Sequence, residues 1–144
     1  MSDFLSLMQQ IQTQINAANF NYGGIPVPTQ IRKLPLREET IDAARMIVIC
    51  PGSGETMSQL AFGGHYVVEH RMEVIIISPN MGTDFTGLDN YLDWRQTITN
   101  ICNTQVTVPN LLRRQVVYDP PIDRTQVAAN YDYLALEARY LLYY

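Results

Sequence analysis

Lysine is almost absent from this 144-residue chain: nine of its ten basic residues are arginine, and Lys33 is the exception. Arginine presents a rigid fork of donors suited to bidentate ion pairs at interfaces; a compositional bias of the lineage gives the same count. Cysteine is also scarce, with only Cys50 and Cys102. Neither stands in a C-x-x-C pair or beside metal-ligand residues, which argues against a disulfide scaffold or a zinc site. Cys50 closes an apolar run and Cys102 falls on the apolar face of a predicted helix, so both are expected as buried thiols. No run approaches the ~20 apolar residues that span a bilayer. No basic stretch followed by an apolar one marks a signal peptide. The net charge of −4 argues against a protein whose main work is gripping nucleic acid.

What is present is enough hydrophobic material, 47% of the residues, for a core in one domain spanning 1–144. Residues 2–18 carry Phe4, Leu7, Met8, Ile11 and Ile15 at helical spacing, with Ser2 or Asp3 as the cap. The opposite face is built of uncharged amides, Gln9, Gln10, Gln12, Gln14 and Asn16. Such a face is buried at an interface without a large ionic desolvation cost; it also serves as an ordinary solvated face. Gly23, Gly24, Pro26 and Pro28 mark a loop. A short helix is expected after Leu34-Pro35. Met46 to Cys50 is a continuous β-branched run, the pattern of a strand buried on both faces.

A Gly63-Gly64 turn opens a strand of about a dozen residues, from Tyr66 to Ile77. A two-residue turn pairs Phe62 with His65, Leu60 with Val67 and Ser58 with Glu69. One face then carries Tyr66, Val68, His70, Met72, Val74 and Ile76; the other carries Val67, Glu69, Arg71, Glu73, Ile75 and Ile77. At ~3.3 Å per residue the strand spans about 40 Å, and the hairpin is expected to project beyond the domain body. A helix capped by Asp84 follows, with Leu88, Tyr91, Leu92, Ile98, Ile101 and Cys102 as its buried stripe. Arg114 to Tyr118 reads as a strand. The run from Gln126 to Tyr144 fits strand or helix; its tyrosines and the alternation of Leu134, Leu136, Ala138, Tyr140, Leu142 and Tyr144 favour strand. The fold class is therefore α+β: a small, mainly antiparallel sheet with a long β-hairpin, packed by an N-terminal helix and a central amphipathic helix.

Chemistry-bearing patterns are weak. Pro51-Gly-Ser-Gly-Glu55 follows a strand, where a phosphate loop sits, but lacks the Lys-Ser/Thr of a P-loop. Asp89 and Asp93 lie four apart on a helix without a third ligand. His65 and His70 lie on opposite faces of one strand and cannot converge on one substrate. No catalytic residue, metal or cofactor is expected. Arg113-Arg114 is a basic pair beside a strand, and Trp94 is either half-buried or an interface anchor. The candidate interface residues are Gln59, Phe62, His65, Val67, Glu69 and Arg71 of the hairpin, Gln9 and Gln10 of the first helix, and Arg113 and Arg114.

The order of helix, Gly/Pro loop, strand ending in Pro51, long strand ending in Pro79, Leu88-Asp-Asn-Tyr-Leu92 helix and two final strands resembles the tail-terminator and head–tail joining proteins of tailed bacteriophages. The matching stretches are residues 45–51, 64–79, 88–101 and 115–143. The resemblance implies a structural virion protein and not an enzyme. It implies a homo-oligomeric ring, typically of six copies, that caps the tail tube and joins it to the head connector around a DNA channel. Its partners would be the tail-tube and neck connector proteins, with DNA passing through unread, and no membrane. The chain would be made in the host cytoplasm and reside in the virion. The alternatives are another neck or tail-tube-like ring subunit, or a small soluble enzyme using the 51–55 loop.

Overall fold

The computed structural model describes residues 2–32, 45–52, 56–59, 64–79, 85–118 and 131–144. The short helix expected after Leu34, Ser53 to Glu55 of the glycine loop, Leu60 to Gly63 of the expected turn and the Asp84 cap lie outside these residues. The fold is α+β, with two helices and a mainly antiparallel sheet among the described residues.

Helix α1 runs Asp3–Ala17, and Ser2 caps it by accepting a hydrogen bond from the Leu5 N–H at 3.2 Å. It ends where Asn19 takes a left-handed conformation, φ 54°, a common way to close a last turn. The Gly/Pro loop that follows contains a small hairpin, β1 (Asn21–Tyr22) and β2 (Ile25–Pro26), joined by Gly23 and Gly24 at φ 60° and 82°. Positive φ at both turn residues suits glycine and matches the twist of a two-residue hairpin.

The main sheet is ordered β3-β4-β6-β8-β7, with β5 also paired to β6. Its strands are β3 (Thr29–Ile31), β4 (Met46–Pro51), β5 (Thr56–Gln59), β6 (Tyr66–Pro79), β7 (Leu111–Tyr118) and β8 (Tyr131–Tyr143). Among the described residues only β3 and β4 pair in parallel. In the β5–β6 hairpin Gln59 opposes Tyr66 and Ser58 opposes Val67. This is two residues from the expected register and leaves residues 60–65 as the connection. A two-residue shift keeps every side chain on its expected face. The register of this end is held across the sheet: Tyr66 and Tyr144 exchange backbone hydrogen bonds of 3.0 and 2.8 Å, and their rings stack at 5.4 Å. Nor does β6 project. It pairs with β8 from Val67 to Pro79, and on its other edge with β5 and then β4, which makes it the central strand.

Helix α2 (Phe85–Thr104) and α1 cover one sheet face. Their Leu7, Ile11, Ile15, Tyr91, Ile98 and Cys102 pack on Ile47 and Ile49 of β4, Met72, Val74 and Ile76 of β6, and Leu134, Leu136, Ala138, Tyr140 and Leu142 of β8. Each such aliphatic side chain contributes ~1.5–3 kcal/mol of burial. The alternation expected for the C-terminal strand is the one observed. On the opposite face Met46, Val48, Cys50, Ile75, Ile77, Tyr133 and Ala135 form a second buried cluster, so β4 is buried on both faces. Trp94 is half-buried inside an aromatic group with Phe20, Tyr22 and Tyr91. The Arg45 guanidinium lies 3.7 Å over the Tyr22 ring while its Nε donates to Tyr91 Oη at 2.7 Å. This ties the small hairpin to α2.

The start of α1 and the residue after β8 are clasped together on β6. Tyr144 Oη donates to Asp3 Oδ2 at 2.6 Å, and His70 Nε2 lies 3.2 Å from Tyr144 Oη. The phenol proton goes to the carboxylate, so His70 Nε2 is the donor of the second bond. His70 is buried, with Phe4 packed on its ring at 5.7 Å, the core-edge position expected for it. Tyr144→Phe should lower stability by about 1–3 kcal/mol, since a bond to a charged group is lost and the His70 N–H loses its acceptor. Tyr143→Phe, which keeps the ring stacked on His65, should change urea unfolding by less than about 0.5 kcal/mol. Equal effects would contradict the clasp.

Candidate interface on the sheet

Strand alternation sets one set of charged side chains on the sheet face away from the helices. Glu69 and Arg71 come from β6, Glu137 and Arg139 from β8, and Arg113 from β7; the pairing registers place them side by side. Arg71 Nε lies 2.8 Å from Glu69 and 3.8 Å from Glu137. Arg139 pairs with Glu137 at 3.1 Å, and Arg113 reaches Glu69 at 3.3 Å. Directly across the β6–β8 ladder the charges are alike, Arg71 on Arg139 and Glu73 on Glu137. Like charges directly opposite destabilise, so the attraction runs along each strand and on the diagonal. The Glu69 and Glu137 side chains keep only 12% and 15% of their accessible surface, which makes this a partly desolvated network and not a set of isolated surface pairs.

The candidate residues divide. Val67, Glu69, Arg71 and Arg113 come together on this face, and exposed His65 stacks on Tyr143 at 5.2 Å beside them. Gln59 lies on the adjoining β5, opposite Tyr66. Phe62 is outside the described residues. Gln9 is exposed, but on α1, across the sheet. Gln10 serves inside the chain: its amide donates to Thr107 O at 2.7 Å and accepts from Thr107 N at 3.0 Å, pinning the loop after α2. Gln12 likewise donates to Thr29 O at 3.1 Å. The amide face is thus partly consumed by the fold, because a glutamine matches both groups of a backbone peptide. Arg114 points to the helix side, where its Nε donates to Val106 O at 2.8 Å. Adjacent strand residues face opposite ways, so the basic pair is split by the sheet.

Glu137 and Arg139 were not among the candidates. Alternation along β8 already opposes them to Leu136, Ala138 and Tyr140; only their placement beside Glu69 and Arg71 needed the register.

Gly52 has a packing role. Its N–H donates to Arg71 O at 2.9 Å, and an added Cβ would stand 3.1 Å from the Arg71 backbone. The glycine lets β4 end against β6. Asp89 and Asp93 are exposed on α2, and among the described residues no group of three or more His, Cys, Asp or Glu is arranged to hold a metal. Among the described residues, two surface clefts measure about 260 and 220 Å³, below the ~300–1,000 Å³ usual for small-molecule sites. No helix among the described residues is long and apolar enough to cross a membrane. No protein-family model and no curated protein matches this chain.

Proposed function

We propose that this chain is a structural subunit of a bacteriophage neck, a tail terminator that forms a ring on the tail tube and joins it to the head connector around a DNA channel. The reading rests on the element order, from the strand ending at Pro51 through β6 ending at Pro79 to α2 and the last two strands. The observation that carries it is the gathering of Val67, Glu69, Arg71 and Arg113 on one face of the sheet, next to His65. A half-buried network of fixed charges suits specific docking, because it rewards the matching partner and penalises others. A ring needs two different patches that meet on successive copies, and this face is one of them. The subunit's role is contact and not turnover. Its net negative charge favours passage of DNA over adhesion to it.

Electron micrographs of the protein with its tail tubes are expected to show sixfold rings at tube ends, even where the dilute protein is monomeric. Shortening the 60–65 connection should leave the fold intact and reduce tube capping. A protein that shows no repeated neighbour in its native particle, or that caps tubes normally with the shortened connection, would overturn this assignment.

A further inference from the structure

Charge is spread unevenly over this molecule. Charged residues make up 17% of the chain, yet none stands between Phe4 and Ile31 or between Gln96 and Leu112. These stretches hold most of α1, the β1–β2 hairpin and the second half of α2. Their exposed positions, among them Gln9, Thr13 and Asn16 of α1 and Gln96, Thr97 and Asn100 of α2, give the helix layer an uncharged outer surface. The cores of protein interfaces are depleted of charge in the same way, because amides and hydroxyls are covered without an ionic desolvation cost. Within this surface α1 and α2 border the cleft of about 220 Å³, lined by Gln14, Ala17, Ala18, Thr97, Ile101 and Gln105. Helix α1 ends there with no basic residue in its last turn, so the negative end of its dipole meets only uncharged side chains.

The sheet face on the far side is charged but balanced, with Glu69, Glu73 and Glu137 set among Arg71, Arg113 and Arg139. Arg113 is its outermost member. It spends one N–H on Glu69 at 3.3 Å and keeps 58% of its side-chain surface, against 26% or less for Glu69, Arg71, Glu137 and Arg139. We propose that these two faces meet between copies: the charged sheet face of one docks on the uncharged helix face of the next, and Arg113 enters the α1–α2 cleft. Size and sign both fit. The cleft holds one long side chain, and the end of α1 favours a cation. The rest of the network is already paired within its own chain, so it needs from a partner hydrogen-bonding groups without net charge. Glutamine and asparagine supply donors and acceptors together. The two faces lie on opposite sides of the molecule, so the contact is heterologous, and each copy meets one neighbour on each side. This inference rests on the ring reading above and supplies the second patch that a ring requires.

Thiol cross-linking tests the pairing and leaves Arg113 in place. Native Cys50 and Cys102 are both buried, so an introduced thiol is the reactive one. Gln115 is exposed beside Arg113 on the sheet face, and Thr104 is exposed at the end of α2. With a short bismaleimide, a mixture of Gln115→Cys and Thr104→Cys proteins should cross-link at least about tenfold faster than Gln115→Cys with Asp89→Cys, which lies ~22 Å away along α2. The double variant Gln115→Cys/Thr104→Cys should give a ladder of multimers, whereas a twofold contact stops at two copies. In sedimentation, Thr97→Lys places a cation in the cleft and should weaken self-association at least about tenfold, and Thr97→Glu should not. Rings in micrographs without the Gln115–Thr104 cross-link, or equal losses from Thr97→Lys and Thr97→Glu, would overturn this pairing and leave the ring standing. A chain that stays monomeric at every concentration, alone and with tail tubes, would overturn the ring reading and this pairing together.

Discussion

Leu136→Ala should lower the unfolding free energy by about 2–5 kcal/mol, the usual cost of a buried leucine lost to a cavity. Leu136 is 1% exposed and sits mid-strand in β8, opposite Val74 of β6 on one side and Tyr118 of β7 on the other. The paired strands on either side cannot both collapse into the vacated space, so the cavity term persists. A urea titration should show a lower midpoint with an unchanged slope. Ile25→Ala is the matching control: that side chain is 70% exposed at the tip of the β1–β2 hairpin, and its removal should stay within about 0.5 kcal/mol. A small effect at Leu136 would mean that β8 is not the inner strand described above.

Both cysteines should be silent toward thiol reagents in the folded protein. Burial pushes the Cys50 thiol up to about 11, with the Glu73 charge adding to it. Burial pushes Cys102 up to about 12, against a hydrogen bond from Tyr140 that lowers it. The thiolate is the nucleophile, so at mildly alkaline pH both groups are protonated and shielded. Ellman's reagent should release no colour from native protein and two equivalents in guanidinium, matching the two free cysteines. Reaction at the native rate of an exposed thiol would contradict the burial of both. The same shifts fix a pH dependence. A group whose folded value is raised holds its proton more tightly in the folded state, so its contribution is complete below the ordinary value of 9.0 and is lost as pH climbs toward 11 and 12. The Tyr140 phenol, which donates to Cys102 O at 2.9 Å, is raised by burial as well and acts in the same direction. Alkaline unfolding should therefore set in above pH 9, and Cys102→Ala should flatten that limb.

Period alone was enough for the elements that lie half in and half out of the core. The 3.6-residue spacing of Leu7, Ile11 and Ile15 and the two-residue spacing of Leu134, Leu136, Ala138, Tyr140 and Leu142 each name the face that the structure buries. The opposite orientations of His65 and His70 follow from the same rule, and so does the clustering of Glu69 with Arg71. The strand β7 was legible only from Arg114, because the bulge beside Leu112 interrupts its alternation. The Gly63-Gly64 signal gave the right faces with the wrong partners, since a local turn preference was outweighed by thirteen residue pairs between β6 and β8.

By itself, then, the sequence determined which residues are helical, which alternate, which face is apolar and that charges gather on the other. These are local properties, set by side-chain volume and backbone geometry within a few residues. The tertiary structure decided what meets what. It made β6 a central strand and not a projecting arm, because strand partners come from distant segments. It turned Gln10 inward to Thr107 and separated Arg114 from Arg113, and it added Glu137 and Arg139 to the charged face. Pairing is a property of two strands, and no single stretch of chain contains it.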